Sequence, residues 1–565
     1  MSLLDLGALP IQDVESQSLP PVSRLPTELL IDIFRYHIPG PWTLVPRKGL
    51  PPTWIAISHV CRRWREIAIG YPHLWANIIL SNRAWTTAML ERSKPLPIVI
   101  SAAFEGRPLR AALLDALSQV SRARELVLEV TMLRHLLESF KDRPAPSLES
   151  LRLVQSVSML PCVLPDNVFG GHTPVLQELE LDRVTIQWSS SLLRPGLTHL
   201  EIRNPHRDFL PSTTQMLDVL ATMPHLDTLI LSNTLPPCHI SQHFDITNPS
   251  RNLPLPSITK LHLVGTPGEC SQFLNHVMIP ADADLVFECI HSPSTQDLTL
   301  VIDLIENAIT RHMMMQRQGE IRTRPGAIES MSIGFSHNRK AWLVAGPAHP
   351  PSTFFPSDKR TARIVLSLQW NVEYLPVTET ETLFSRLCTL PSFANVESLR
   401  VQGFMFTAAE NWRVALANMK SVSQLLVYGH AAYGFGRVFN PSNMEDSLPV
   451  DPERSPDDRG EPGSLSLSGE DHRRPAPLFP ALKSLRVEQV DFYASTLPAN
   501  LREGIAARNQ SGPLEKLVVR DCDISELDVS QLRKSGVRSF EWDGVDIGLS
   551  NIYRTEHRYT IDLDR

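Results

Sequence analysis

Residues 148–153 read LESLRL, and the same spacing of leucines returns as LQELEL at 176–181, LTHLEI at 197–202 and LDTLIL at 226–231. The final apolar residues of each copy are two positions apart, which is the period of a strand with one buried face. Successive copies begin 28, 21 and 29 residues apart. A regular spacing of this length is typical of solenoid proteins. The pattern therefore predicts short strands that stack from one repeat to the next.

The same pattern continues through the rest of the chain, with further copies at 258–263, 328–333, 396–401, 422–427, 482–487, 514–519 and 537–542. Helical patterns such as 81–93 and 211–223 lie between the strands. This alternation resembles a leucine-rich-repeat array of irregular type. The fuller family pattern appears at Leu514, Leu517, Val519, Cys522 and Ile524, where Cys522 takes the position usually held by asparagine or cysteine. An irregular α/β domain with leucine-rich strands is the alternative.

One residue of each predicted strand faces away from the buried side, because it lies between the last two apolar positions. On the repeat model these residues line the concave sheet. They are Arg152, Glu180, Glu201, Ile230, His262, Ser332, Arg400, Leu426, Arg486, Val518 and Glu541. The charged members suit a protein ligand, so a target protein is expected to contact Arg152, Glu180, Glu201, Arg400, Arg486 and Glu541. A merely solvated face is the alternative for each of them.

The first eighty residues have a different, helical pattern. Leu25, Leu29 and Ile33 are four residues apart, and Pro26 suits a first helical turn. A proline-rich stretch follows, and a second helical pattern begins near Thr53. Its apolar side is predicted to include Ile57, Val60, Cys61, Trp64, Ile67 and Ala68, with Arg62, Arg63 and Arg65 on a solvated side. These helices are too few and too short to form an independent domain, so they need a partner protein or a neighbouring domain to pack against.

The order of a leucine-proline pair, the helix sequence HVCRRWR at 59–65 and a closing Leu74-Trp75 resembles the F-box over residues 20–78. The connection between the first two helices is longer than is usual in that family. The resemblance implies docking on a Skp-type adaptor, which joins the chain to a cullin-RING ubiquitin ligase. The implied adaptor-binding residues are Leu25, Pro26, Leu29, Ile33, Val60, Cys61 and Trp64. In the alternative, these residues are the ordinary core of a helical cap on the following domain.

The predicted fold class is therefore α/β: a small N-terminal helical F-box followed by a leucine-rich-repeat-like solenoid of strand-plus-helix units. Residues 1–19 are predicted to be a disordered leader, 20–78 the F-box and 79–440 the repeat array. Residues 441–478 are acidic and rich in proline and serine, so a disordered loop is expected there. The remaining segment, 479–565, is predicted to hold the C-terminal repeats.

Composition narrows the possible partners and compartments. The 565 residues include 54 basic and 61 acidic side chains, a net charge of −7 that disfavours nucleic acid as a partner. The seven cysteines are scattered, with no pair at metal-ligand spacing, which favours a reducing compartment. The sequence shows neither a signal peptide nor an apolar run long enough for a membrane helix. We expect a cytoplasmic or nuclear protein that does not bind membranes.

Motifs for enzyme chemistry are missing from the sequence. We find no phosphate loop, zinc-protease motif or nucleophile elbow. Gly434-Phe435-Gly436 lacks the third glycine of a nucleotide-binding loop. We therefore expect no enzyme activity, no metal and no cofactor. The resulting hypothesis is a substrate-receptor subunit of a Skp-cullin-F-box ubiquitin ligase; the alternatives are an interaction scaffold outside a ligase or, less favoured, an unrecognised enzyme.

Overall fold

We describe the fold from a computed structural model of the chain. The structure describes residues 21–36, 53–80, 82–104, 110–130, 133–156, 161–237, 252–280, 283–291, 328–336, 340–346, 364–370, 377–403, 409–439, 478–493, 495–509 and 512–544. The predicted leader and all but the last residue of the predicted loop at 441–478 lie outside these ranges. Two compact units divide the chain: unit 1 comprises residues 1–186 and 190–192, and unit 2 comprises 187–189 and 193–565.

Unit 1 begins with helices. A 3-10 turn at Pro21–Arg24 precedes helix α1 (Thr27–Tyr36), and a 3-10 helix (Thr53–His59) precedes helix α2 (Arg62–Gly70). The sequence predicts one continuous pattern from Thr53, but the structure has a break before α2. Cys61 is extended there, and its sulfur accepts the backbone N–H of Trp64, so it caps a new helix. A 3-10 turn (Pro72–Trp75) closes the helical segment.

The rest of unit 1 is a parallel sheet with helices between its strands. The strands are β1 (Asn77–Ile79), β2 (Ile98–Phe104), β3 (Ala123–Val130), β4 (Ser150–Gln155), β5 (Cys162–Val163), β6 (Glu178–Asp182) and β7 (Val184–Thr185). The helices are α3 (Arg83–Arg92), α4 (Arg110–Leu117) and α5 (Leu133–Leu137). The sheet order is β1, β2, β3, β4, β6, and β5 pairs separately with β7. Its register aligns Leu126, Leu151 and Leu179 across neighbouring strands, and all three are fully buried.

Unit 2 has a longer, mostly parallel sheet. Its strands are β8 (His199–Arg203), β9 (Thr228–Ser232), β10 (Leu253–Pro254), β11 (Lys260–Gly265), β12 (Val277–Met278), β13 (Asp284–His291), β14 (Ser330–Ser336), β15 (Lys340–Gly346), β16 (Ile364–Trp370), β17 (Ser398–Gln402), β18 (Gln424–Tyr428), β19 (Ser484–Glu488), β20 (Lys516–Arg520) and β21 (Ser539–Trp542). Its helices are α6 (Thr213–Ala221), α7 (Pro267–His276), α8 (Val377–Cys388), α9 (Ala409–Leu416), α10 (Ala431–Phe439), α11 (Leu497–Arg508) and α12 (Glu526–Arg533).

The strands of unit 2 do not all follow chain order. From β8 the order is β9, β11, β13, β16, β15, β14, β17, β18, β19, β20 and β21. β15 is antiparallel to both of its neighbours, whereas the other pairs in this order are parallel. A regular repeat array adds each strand next to the previous one, so this part of the chain departs from the predicted pattern.

All eleven copies of the sequence pattern end in a strand, namely β4, β6, β8, β9, β11, β14, β17, β18, β19, β20 and β21. The mixed α/β class with N-terminal helices is confirmed. The stacked leucine-rich-repeat solenoid stays a prediction.

Many strands end in the same backbone turn. The residue that directly follows the strand has a positive φ, between 49° and 70°, at Arg183, Asn204, Asn233, Gly403, Gly429, Gln489 and Asp521. This left-handed conformation is costly for residues other than glycine. Local sequence preference explains five of these positions, because glycine, asparagine and aspartate adopt this conformation most readily. At Arg183 and Gln489 the surrounding structure must hold the turn.

Candidate protein-interaction site

Helix α1 carries two apolar stripes that differ in exposure. Leu30 and Phe34 are fully buried, whereas Leu29 is 49% exposed and Ile33 is 38% exposed. Each pair is four residues apart and therefore lies on one side of the helix. Of the other residues predicted for the first part of the site, Leu25 is half-buried and Pro26 is exposed. The structure thus leaves an apolar ridge of Leu29 and Ile33 on the surface of α1.

The second part of the predicted site lies where α2 begins. Val60 is 60% exposed and Cys61 is also exposed, whereas Trp64 is half-buried. The Trp64 ring lies 5.1 Å from the ring of Phe34, measured between centroids. Trp64 therefore helps to hold α2 against α1 in addition to any contact with a partner.

The three arginines of α2 have different surroundings. Arg62 is exposed and pairs with Glu66 over 2.9 Å, and Arg65 is exposed. Arg63 is half-buried, and its Nη2 donates to the carbonyl oxygen of Leu25 over 2.7 Å. The predicted solvated side is therefore correct for Arg62 and Arg65, while Arg63 connects α2 to the residues just before α1.

Trp75 anchors this helical segment to the rest of unit 1. It is 1% exposed, and its indole N–H donates to the carbonyl oxygen of Ala68 over 2.8 Å. On α3, the Arg92 guanidinium lies 4.3 Å from the Trp75 ring, and the Trp85 ring lies 5.8 Å away. An aromatic side chain buried this completely contributes several kcal/mol. The helical segment that carries the exposed ridge is therefore held firmly against the rest of unit 1.

The sequence did not assign roles to Phe34, Trp85 or Arg92. Phe34 follows Leu30 by four residues, so its stripe could have been found from helical periodicity. Trp85 and Arg92 belong to a helix that the sequence placed in the following array, and no local pattern connects them to Trp75.

In unit 1, the predicted target-binding residues Arg152 and Glu180 form an ion pair on neighbouring strands. Arg152 Nη1 lies 2.8 Å from Glu180 Oε2, and its Nη2 lies 3.1 Å from Glu129 Oε1. The Arg152 side chain is about a third exposed. This face of the unit 1 sheet therefore offers charged groups that are already ordered by one another.

In unit 2, Glu201 is held by basic neighbours. Burial alone would raise the pKa of this carboxyl, but hydrogen bonds from His199 and Arg203 outweigh burial and lower the pKa to about 2. Farther along the sheet, His262 Nε2 lies 3.2 Å from Glu288 Oε1. Glu541 is more exposed and pairs with Lys516 over 2.6 Å.

Several residues predicted for an open concave face are buried, which corrects that expectation for them. Ile230, Ser332, Arg400, Leu426 and Val518 are each at most 5% exposed. Arg400 was also predicted to contact a target, yet its guanidinium lies 5.3 Å from the Tyr428 ring within the protein. Burial lowers its pKa to about 10, against the opposing effect of Glu488. Alternation places a residue on the second face of a sheet but does not report what covers that face.

Arg486 keeps partial access to solvent next to this buried cluster. Its side chain is 19% exposed, and its Nε donates to Glu488 Oε1 over 2.6 Å. The accessible charged residues of the predicted set are therefore Arg152, Glu180, Glu201, Arg486 and Glu541.

The structure gives no support for nucleotide binding at Gly434-Phe435-Gly436, because these residues lie inside helix α10. Gly434 lies close to Trp412, and Gly436 lies close to Leu497. Within either unit alone, the described residues do not bring three histidine, cysteine or carboxylate ligand atoms together. Among the described helices, none combines the length and hydropathy that crossing a bilayer requires.

The exposed apolar residues Leu29 and Ile33 therefore lie on small N-terminal helices that Trp75 anchors to the rest of unit 1. A family model described as F-box-like matches residues 22–81 of the chain. The chain therefore carries an F-box-like domain, and F-box domains typically bind Skp-type adaptors of ubiquitin ligases. No match was found among curated proteins.

Proposed function

We propose that this protein is the substrate-receptor subunit of a Skp-cullin-F-box ubiquitin ligase. The F-box-like helices bind the Skp-type adaptor, the downstream sheet units bind a target protein, and the chain performs no catalysis itself. One observation carries the proposal: Leu29 and Ile33 of α1 and Val60 just before α2 remain exposed, whereas Leu30 and Phe34 of α1 are buried.

The exposed ridge is large enough to matter for binding. Complete burial of a leucine or isoleucine side chain is worth about 2 kcal/mol. Three half-exposed apolar side chains therefore offer roughly 3 kcal/mol before ordering costs. A helix that lays such a ridge into an apolar groove is a common recognition mode.

The direct test measures adaptor binding by the full-length chain with Leu29→Asp. A charge in the centre of an apolar contact should weaken adaptor binding at least about tenfold, since each 1.4 kcal/mol is a factor of ten. Isothermal titration with a purified Skp-type adaptor provides the measurement. Leu29 is exposed, so the substitution should leave the thermal unfolding of the chain unchanged.

The matched control is Leu114→Asp, which changes a leucine of α4 that is 38% exposed and lies outside the F-box-like match. This control should bind the adaptor like the unchanged chain. Trp64→Asp is a poorer test because Trp64 also packs on Phe34. Equal affinity of the Leu29→Asp and Leu114→Asp variants would contradict the proposed docking surface.

Target binding is proposed for the accessible charged residues Arg152 and Glu180 of unit 1 and Glu201, Arg486 and Glu541 of unit 2. Ordered charges of both signs suit a protein partner. Proteins captured by the full-length chain should become ubiquitylated in a reconstituted ligase, and the Leu29→Asp variant should capture them without ubiquitylation. Adaptor binding without any ubiquitylated partner would instead favour an interaction scaffold.

We also propose that the protein acts in the cytoplasm or nucleus. The cysteines that the structure describes are all free thiols, which supports a reducing compartment. Fluorescence microscopy of a tagged full-length chain tests this assignment, and accumulation in secretory vesicles would contradict it.

A further inference from the structure

Two cysteines of unit 2 that are nineteen residues apart in sequence meet in its interior. Cys270 lies on α7 and is 0% exposed, and Cys289 lies on β13 and is 1% exposed. An interaction with the Cys289 thiol, together with burial, raises the pKa of the Cys270 thiol. No sequence motif indicates this pair, because a spacing of nineteen residues matches no metal or redox motif.

The register of the sheet explains how the two thiols come together. Cys289 pairs with Gly265 of β11, and paired residues on neighbouring strands are about 5 Å apart. Gly265 has no side chain, and a Cβ atom built there would lie 3.9 Å from the sulfur of Cys270. The Cys270 thiol, together with the side chains of Glu269 and Leu235, therefore lies around the open position at Gly265, on the strand next to Cys289.

Two further contacts fix α7 over this position. The side chain of Thr266 accepts the backbone N–H of Glu269, and Glu269 Oε2 accepts the backbone N–H of Thr266 over 2.9 Å. This capping box fixes the first turn of α7, which includes Cys270. The geometry of the pair is therefore set by both the sheet and the helix start.

We propose that Cys270 and Cys289 form a reversible disulfide that links α7 to β13 when the protein meets a small-molecule disulfide such as oxidised glutathione. One thiolate attacks the glutathione disulfide, so that a mixed disulfide forms and one glutathione thiolate leaves. The second cysteine gives its proton to solvent and attacks the mixed disulfide, which releases the second glutathione. Two protein thiols and one oxidised glutathione thus give one protein disulfide and two reduced glutathiones.

The closed pair should react slowly. The interaction with Cys289, followed by burial, raises the pKa of the Cys270 thiol, and only the thiolate attacks a disulfide. Reaction therefore requires α7 to open, and the disulfide then restrains this opening. Under oxidising conditions the two cysteines thus form a disulfide that holds α7 against β13 and stabilises unit 2.

The test treats the full-length protein with oxidised glutathione in mild urea and then removes both reagents. Mass spectrometry of a non-reduced digest should show the peptide of Cys270 linked to that of Cys289, and the link should disappear after reduction. The closed loop is short, so the melting temperature of the oxidised protein should exceed that of the reduced protein by about 4 °C.

Two variants make the result specific. Cys289→Ala should abolish both the linked peptide and the difference in melting temperature between oxidised and reduced samples. Cys388→Ala, which removes a buried thiol of α8, should retain both. The proposal is overturned if Cys270 and Cys289 are recovered as thiols or as separate glutathione adducts after this treatment.

Discussion

At the scale of single residues, two arginines of unit 2 share one buried carboxylate. Glu488 is 5% exposed, accepts a hydrogen bond from Arg486 and lowers the cost of burying Arg400. Gln489, the next residue, accepts the hydroxyl of Tyr428. Charges in such a cluster are costly to leave unpaired.

Glu488→Ala should lower the free energy of unfolding by about 3 kcal/mol, because it leaves two cations next to each other in a buried site. Arg400→Met should change it by less than about 1 kcal/mol, since an apolar side chain of similar length can replace a buried charge. Urea denaturation of both full-length variants measures the difference. Equal losses would show that Glu488 does not balance these arginines.

A second residue-scale feature is a polar side chain two positions after a strand. Thr234 Oγ1 donates to the carbonyl oxygen of Ile202 on the preceding repeat over 2.9 Å, and Cys522 contacts the carbonyl oxygen of Val487 in the same way. Cys522 was singled out in the sequence by its place in the repeat pattern. Thr234 occupies the same place eight residues after the first apolar position of its copy.

Thr234→Val should therefore destabilise the protein by about 1–2 kcal/mol, because the new side chain is the same size but cannot donate to the carbonyl oxygens of Ile202 and Ser232, each 2.9 Å from the hydroxyl oxygen. Thr222→Val is the control, since its hydroxyl donates to Val219 at an exposed helix end. Thermal unfolding should separate the two variants. A loss of the same size in both would mean that the buried hydrogen bond is not important.

At the scale of elements, Gly504 allows the close approach of helices α10 and α11 in unit 2. A Cβ atom at Gly504 of α11 would lie 2.5 Å from the carbonyl oxygen of Phe439 at the end of α10. A backbone atom cannot move aside as a flexible side chain can. The close contact of these two helices thus depends on a missing side chain.

Gly504→Ala should lower the free energy of unfolding by about 2 kcal/mol, a typical cost of overpacking. Gly70→Ala on α2 is a sharp contrast, because a Cβ atom there meets nothing within 4 Å. Alanine favours helix more than glycine does, so this second change should be neutral or stabilising by up to about 1 kcal/mol. Chemical denaturation of both variants measures these changes. A neutral result for Gly504→Ala would contradict the packing argument.

The sequence predicted the elements whose pattern alternates and missed those whose pattern does not. Strand β4 was found because Leu151 and Leu153 alternate with Arg152, whereas β2 begins with a continuous run of apolar residues at 98–100. Such a run fits a strand buried on both faces or a helix equally well. The antiparallel strand β15 was missed for the same reason, so the inverted strand order around it could not be foreseen.

The sequence predicted only part of the candidate site, again because the pattern of apolar residues is ambiguous. In α1 both Leu29 with Ile33 and Leu30 with Phe34 have helical spacing, so periodicity alone does not decide which stripe is buried. The structure decides it by placing Trp64 against Phe34. The burial of Arg400 could not be predicted either, because it depends on residues distant in sequence.

At the scale of the whole molecule, the F-box-like helices belong to unit 1 and do not form a separate compact unit. The sequence placed the end of this domain at residue 78, which falls inside β1, and β1 pairs with β2. The backbone N–H of Val99 also donates to the carbonyl oxygen of Ala76 over 2.9 Å. The F-box-like segment thus shares backbone hydrogen bonds with β2 in addition to the contacts of Trp75.

A chain that begins at residue 79 should therefore be less stable than the full-length protein and should self-associate. The deletion removes most of β1 and uncovers the edge of β2, and exposed strand edges pair with other chains. It also removes Trp75 from its contacts with Trp85 and Arg92. Thermal unfolding and size-exclusion chromatography measure both effects.

The full-length Leu29→Asp variant should remain monomeric with an unchanged melting temperature, because it alters only the exposed ridge. If the shortened chain proved equally stable and monomeric, the helices would be a separable module, and deletion could replace point substitution in every adaptor-binding test.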